Sequence, residues 1–321
     1  MRNFRNIEIT QPLVTVTIGV TSYNYSRYIV ESLNSLLPQT YPCIELIIID
    51  DCSADDCPQK IEKWIAENYI NCTYIRHTEN KGITKTLNEI VSLATGKYIV
   101  FFATDDLMLP ERVASQVTEL EACSEDFGLC YTRTKYMDED GELIDFTFNG
   151  RTEDIYEGDV LLPFIKRDFG FVSPSAMINL NVYKKLGLYN EKVLIEDYDF
   201  YLRLTACYKV KYCNYPGMIY RVKKKGSSVF TESQNNNFER YYYDRIISNA
   251  EALKFIRQNN ASALLLKKIT QYLKSLAVNN SKMFWKSLQY LLFEKKIFVS
   301  PKIVAIKMLS SFKAKPNSNQ E

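Results

Sequence analysis

The sequence predicts an α/β fold, a mostly parallel sheet flanked by helices, with a helical region at its C-terminal end. Three observations carry this expectation. Short β-branched runs alternate with longer segments of helical period up to about residue 132. Residues 44–49 are apolar except for Glu45, as in a strand covered on both faces. From Phe238 onward the chain reads as helix.

Taken in order, residues 14–20 form a buried strand. Ser26 is placed to cap a helix whose Ile29, Leu33, Leu36 and Leu37 share one face. Residues 44–49 are the second strand, and Ile61, Trp64 and Ile65 mark the second helix. Residues 72–76 are a short strand. Ile83, Leu87, Ile90, Val91 and Ala94 form a strongly periodic helix that stops near Gly96. Residues 98–103 are the next strand, and Pro110 suits the first turn of a helix continued by Val113, Val117 and Leu120. Residues 128–132 return to strand. Asp140-Gly141 then signals a hairpin between residues 135–137 and 143–148, and residues 197–205 read as a helix with an acidic start.

Composition excludes several classes. The 321 residues carry a net charge of only +2, which argues against a disordered polyelectrolyte and a nucleic-acid binder. The charge is uneven. Residues 231–321 hold 15 Lys/Arg and 6 Asp/Glu, a net of +9, so residues 1–230 have a net of −7. No apolar run approaches the roughly 18 residues of a membrane span, and the first ten residues do not resemble a secretory signal. The eight cysteines include no C-x-x-C pair, and His77 is the lone histidine, read as a structural residue. Reduced thiols in a cytoplasmic protein are the expectation. Acid–base chemistry must then rest on carboxylates.

In a parallel sheet, ligands bind beyond the carboxyl ends of the strands. Those positions are residues 21–24, 50–53 and 104–106, two of them acidic. No G-x-G-x-x-G follows the first strand, which argues against a dinucleotide dehydrogenase, and no G-x-x-x-x-G-K-[ST] loop is present. Adjacent carboxylates at Asp105 and Asp106 repel unless a cation sits beside them, and a hard divalent cation suits oxygen ligands. The competing reading is a solvated acidic loop ahead of the helix at Pro110.

These residues resemble a known family. The run TIGVTSYNYSRYIVESLNSLLPQTYPCIELIIIDDCSAD, ending at Asp55, is similar to the N-terminus of glycosyltransferase family 2, which has the A-type glycosyltransferase fold. Asn80-Lys81-Gly82, GKYIVFFATDD ending at Asp106, and EDYDFYLRL beginning at Glu196 extend the resemblance over about residues 12–228. The resemblance implies that Thr21 and Tyr23 contact the nucleotide base and Asp51 accepts a hydrogen bond from uracil. It implies that Asp105 touches the ribose, that Asp106 holds Mn²⁺ or Mg²⁺ on the diphosphate, and that Asp197 is the general base. Thr104 stands at the first position of the D-x-D-type motif.

The pattern also departs from many relatives. In place of an Arg near the helix at Ile83, the nearby cations are Lys81 and Lys85, and Lys81 is expected to approach the donor phosphates, as Lys85 could. Lys223 stands where a His follows Tyr-Arg-x, and the expectation is that Lys223 pairs with the donor phosphates. The expected organisation is a catalytic domain over 1–230, a helical region over 231–312 and a disordered tail over 313–321. Basic and aromatic residues from 263 to 315 suit either an anionic membrane surface or a helical subdomain with a solvated Lys face. The expected protein is a cytoplasmic, metal-dependent inverting transferase, with the membrane's inner face as one expected place of attachment. It moves a sugar from a nucleotide donor, UDP-linked, to a glycan or lipid-linked acceptor in surface polysaccharide synthesis. A non-catalytic glycan-binding or scaffold protein and a sugar nucleotidyltransferase are the rivals.

Overall fold

Residues 13–145, 155–166, 170–222 and 238–313 are described by the computed structural model. Its strands are β1 (Val16–Ser22), β2 (Ile44–Asp50), β3 (Thr73–Arg76), β4 (Tyr98–Ala103), β5 (Leu107–Met108), β6 (Phe127–Met137), β7 (Leu143–Ile144), β8 (Ala176–Asn179) and β9 (Lys209–Arg221). They form one sheet in the order β3-β2-β1-β4-β8-β6-β9-β5, with β7 paired to β6. The run β3-β2-β1-β4 is parallel. Beyond it, β8 is antiparallel to both neighbours and β6 is parallel to β9. The parallel half is therefore the half whose strand ends carry the acidic loops.

The helices are α1 (Ile29–Asn34), α2 (Cys57–Asn68), α3 (Ile83–Leu93), α4 (Arg112–Glu121), α5 (Leu161–Lys166), α6 (Asn181–Leu186), α7 (Glu196–Cys207), α8 (Phe238–Ala252), α9 (Asn259–Val278), α10 (Met283–Gln289) and α11 (Pro301–Lys313). Alternation along β1 sends Val16, Ile18 and Val20 to one face, where they pack with Ile29, Leu33, Ile61 and Val113. The other face meets α3. A Cβ on Gly19 would lie 2.3 Å from the Ile90 side chain, so the glycine lets α3 sit against β1.

Two helix starts differ from expectation. Ser26 does not cap α1. Its N–H donates to Asp55 Oδ2 at 2.9 Å, and the chain turns once more, with Tyr28 and Ile29 N–H donating to the Tyr25 carbonyl. Pro110 lies two residues before α4 rather than in its first turn. The hairpin at Asp140-Gly141 forms, with Gly141 at φ +92°.

A separate hydrophobic cluster lies among α8 to α11, joined by Val193. It is not isolated from the sheet. Ala252, Ile256, Ala261 and Leu265 of the C-terminal region belong to the same cluster as Phe164, Phe200 and Leu204.

Candidate functional site

The ends of β1, β2 and β4 lie level. Thr21 is in register with both Ile49 and Ala103, and Ser22 with Asp50. The loops that follow therefore open onto one edge of the sheet. Two of them are latched together. Asn24 N–H donates to Ser53 Oγ at 3.0 Å, and the Ser53 hydroxyl donates to the buried Asp50 at 2.6 Å. Ala54 N–H donates back to Asn24 Oδ1 at 2.8 Å. Asn24 and Cys52 take φ of +56° and +64° in these turns. Tyr23 is left 45% exposed at the rim, and Thr21 is half-buried beneath it.

Asp51 is buried and held from several directions. Lys81 N–H and Gly82 N–H donate to its two oxygens, each at 2.8 Å, and His77 Nδ1 lies 2.7 Å from Oδ1. The other ring nitrogen of His77 is 3.0 Å from Glu89, which also pairs with the exposed Lys81 ammonium at 3.0 Å. A carboxylate has about four lone-pair positions, so one remains on Asp51 for an outside donor. His77, read from sequence as a structural residue, orients this carboxylate. Sequence could show that it follows β3 and nothing of its partner.

Asp106 is almost fully buried. Its Oδ1 accepts the Arg221 N–H at 2.9 Å, while Oδ2 has no hydrogen-bond partner. Burial and the adjacent Asp105 charge push its carboxyl well above the usual range, with Arg112 and Arg221 opposing. Arg221 also fixes the surrounding loops. Its side chain donates to the Asp105 carbonyl at 2.8 Å, the Asp138 carbonyl at 3.2 Å and Glu31 at 2.8 Å, and packs 4.3 Å from the Tyr28 ring centre.

On α7, Glu196 and Asp197 occupy the first turn and are half-buried. Burial and the Asp197 charge push Glu196 up to about 8. Burial raises Asp197 as well, opposed by the 2.6 Å hydrogen bond from Tyr198 N–H and by the Arg245 charge. Arg245 comes from α8, lies over the Tyr198 ring at 3.5 Å, and leaves Nε and Nη1 buried without partners.

The family model described as glycosyl transferase family 2 matches residues 17–186, more than half of the chain. The chain belongs to glycosyltransferase family 2. An uncharacterized glycosyltransferase of Methanocaldococcus jannaschii is 29% identical over 62% of this chain and 67% of its own. Chondroitin synthase of Escherichia coli is 31% identical over 62% of this chain but only 28% of its own length. Among solved structures, S. aureus TarS 1-349 in complex with UDP is similar with a TM-score of 0.60 and 19% identity, over 87% of this chain and 75% of that one. A Pyrobaculum calidifontis mannosyltransferase in complex with GDP-Man and Mn²⁺ has a TM-score of 0.57 and 18% identity, over 94% and 88%. These structural likenesses establish the A-type fold of this family-2 chain.

The donor chemistry at the end of β4 suits a divalent metal: hard carboxylate oxygens, one of them buried and unpartnered. Among the described residues no three His, Cys, Asp or Glu side chains converge, so Asp106 would share such an ion with a ligand's own oxygens. Lys223 lies outside the described residues. The eight cysteines are all free, and no described helix is long and apolar enough to cross a membrane.

Proposed function

We propose that this chain is a metal-dependent inverting glycosyltransferase that uses a UDP-linked sugar and an acceptor hydroxyl on a glycan or lipid-linked glycan. The observation that carries the reading is the buried, unpartnered Asp106 Oδ2 at the same sheet edge as Thr21 and Asp51. Level strand ends carry Thr21, Asp51 and Asp106 along one sheet edge, which supports a nucleoside diphosphate as the ligand.

In this reading Tyr23 offers its exposed ring to the uracil face, and Thr21 borders the base. Asp51, held rigid by His77 and the Lys81 and Gly82 amides, accepts the uracil imide N–H with its remaining lone pair. Asp105 meets the ribose. Asp106, with Asp105 beside it, holds Mn²⁺ or Mg²⁺. The ion, when bound, supplies charge that stabilises the departing diphosphate. Lys223 adds a point charge toward the same phosphates. Asp197 takes the proton from the acceptor hydroxyl as that oxygen attacks the anomeric carbon, and the sugar–phosphate bond breaks in a single displacement. The likeness to the E. coli chondroitin synthase supports a glycan acceptor and polysaccharide assembly.

The test is a panel of UDP- and GDP-sugars with Mn²⁺, following nucleoside diphosphate release, repeated with EDTA. UDP release from at least one donor, abolished by EDTA and by Asp106→Asn, is the expected result. Pyrophosphate release from UTP and a sugar 1-phosphate, with no nucleoside diphosphate released from any donor in the panel, indicates a nucleotidyltransferase. Full cellular function in Asp197→Asn indicates a scaffold.

A further inference from the structure

The C-terminal helices present a face whose composition the catalytic reading leaves unused. Helix α10 runs directly into a wider π turn (Tyr290–Glu294). Its inner side buries Phe284, Leu288 and Leu291. Its outer side carries Lys282, Trp285, Gln289 and Phe293 at helical spacing, with Trp285 46% and Phe293 77% exposed. The chain then extends and its side chains alternate. Ile297 and Val299 pack into the helical core, so Lys296 and Phe298 point outward, and Phe298 is 95% exposed. Helix α11 continues this outward character with Lys302 and the half-exposed Met308.

The cations here fall into two groups. Lys295 is held by Glu251 at 2.7 Å, Lys286 lies 4.9 Å from the Tyr243 ring centre, and the buried Lys307 donates to Asn280 Oδ1. Lys282, Lys296 and Lys302 are exposed and show no ion pair among the described residues. Glu294 is the one acidic residue between Lys282 and Met308.

We infer that this face docks on an anionic lipid surface. Phe293 and Phe298 enter the boundary between headgroups and acyl chains, with Trp285 at headgroup depth. Lys282, Lys296 and Lys302 pair with anionic headgroups. Exposed aromatic side chains interleaved with unpaired cations are what such a boundary rewards: apolar area leaves water while the positive charges stay at the headgroups. No described helix is long and apolar enough to span, so the contact is superficial. A second copy of the chain is a poorer occupant, because a two-fold pairing of this face brings its lysines toward their own equivalents. The inference stands apart from the transferase reading, since vesicle binding and UDP binding can fail independently.

The experiment is co-sedimentation of the full chain with phosphatidylcholine vesicles, with and without phosphatidylglycerol. Binding only to the phosphatidylglycerol vesicles, weakened by salt, is expected. The double variant Phe293→Ser, Phe298→Ser should bind about tenfold more weakly. The triple variant Lys282→Glu, Lys296→Glu, Lys302→Glu should not bind. Both should keep the wild-type melting temperature and UDP affinity, which separates loss of the surface from loss of the fold. Failure to bind phosphatidylglycerol vesicles, equal binding to neutral ones, or binding unchanged in both variants overturns the inference. So does a concentration-dependent dimer abolished by the same substitutions, because the face would then be a self-interface.

Discussion

At the scale of single residues, the candidate site depends on carboxylates whose surroundings are set by distant partners. His77 is the clearest case. Removing its ring leaves a buried oxygen of Asp51 with one donor fewer, at a cost of about 1–3 kcal/mol. His77→Ala should therefore weaken UDP binding about tenfold in calorimetry, with Asp51→Ala at least as severe. Unchanged UDP affinity in His77→Ala would separate the ring from nucleotide binding. At the other carboxylate pair, burial raises both groups, and Glu196 reaches about 8. A general base works deprotonated, so kcat/KM should rise with pH and level off once Asp197 is ionised, above the usual carboxylate range. The Asp197 charge is what raises Glu196, so Asp197 ionises first, and Glu196→Gln should leave the acid limb where it is. Asp197→Asn should cost about a hundredfold or more. The same upward shifts fix the sign for stability. The pair's protonated form favours the fold at acid pH, and that contribution fades as pH rises through about 8.

At the scale of elements, Arg221 joins pieces of chain that lie far apart in sequence. Its side chain meets α1 through Glu31, the turn after β4 through the Asp105 carbonyl, and the β6–β7 hairpin through the Asp138 carbonyl. Arg221→Lys keeps the charge and loses the fork that makes these bonds simultaneously. Breaking so buried a set costs about 3 kcal/mol, or roughly 6 °C or more in melting temperature. Because the same residue's N–H holds Asp106, Mn²⁺ binding in the presence of UDP, followed by electron paramagnetic resonance, should weaken as well. A lowered melting temperature with unaltered Mn²⁺ affinity would confine Arg221 to stability. The strand–helix succession was legible because periodicity is local: β1, β2, β4 and α3 announce themselves in a few residues each. The acidic strand ends were legible as positions, and resemblance supplied their proposed roles. The partners of His77 and Arg221 were not, since each bond closes a loop that no local pattern encodes. Ser26 misled for the same reason: Asp55, 29 residues away, holds its N–H, and the chain turns on to Tyr28 before the helix begins.

For the whole molecule, the charge division near residue 230 suggests two separable parts, and the packing argues otherwise. Helix α8 contributes Arg245 over the ring of Tyr198 and Asn249 to its hydroxyl, and Tyr198 stacks in turn on Phe164. Asp244 accepts the Leu194 N–H ahead of α7. Ala252, Ile256, Ala261 and Leu265 complete the cluster that contains Phe200 and Leu204. A chain ending at residue 230 would expose this face of α7 and free the helix that presents Asp197. Burying each large apolar side chain is worth about 1.5–3 kcal/mol, so losing several exceeds a large part of the roughly 5–15 kcal/mol that holds a domain folded. The fragment 1–230 should therefore be poorly soluble or lack a cooperative thermal transition, by near-ultraviolet circular dichroism and size-exclusion chromatography. Added UDP and Mn²⁺ should not rescue it, because the missing contacts support α7 rather than the strand ends. A monomeric fragment melting within a few degrees of the full chain would instead make the basic region a true appendage, and its charge a feature of that appendage alone.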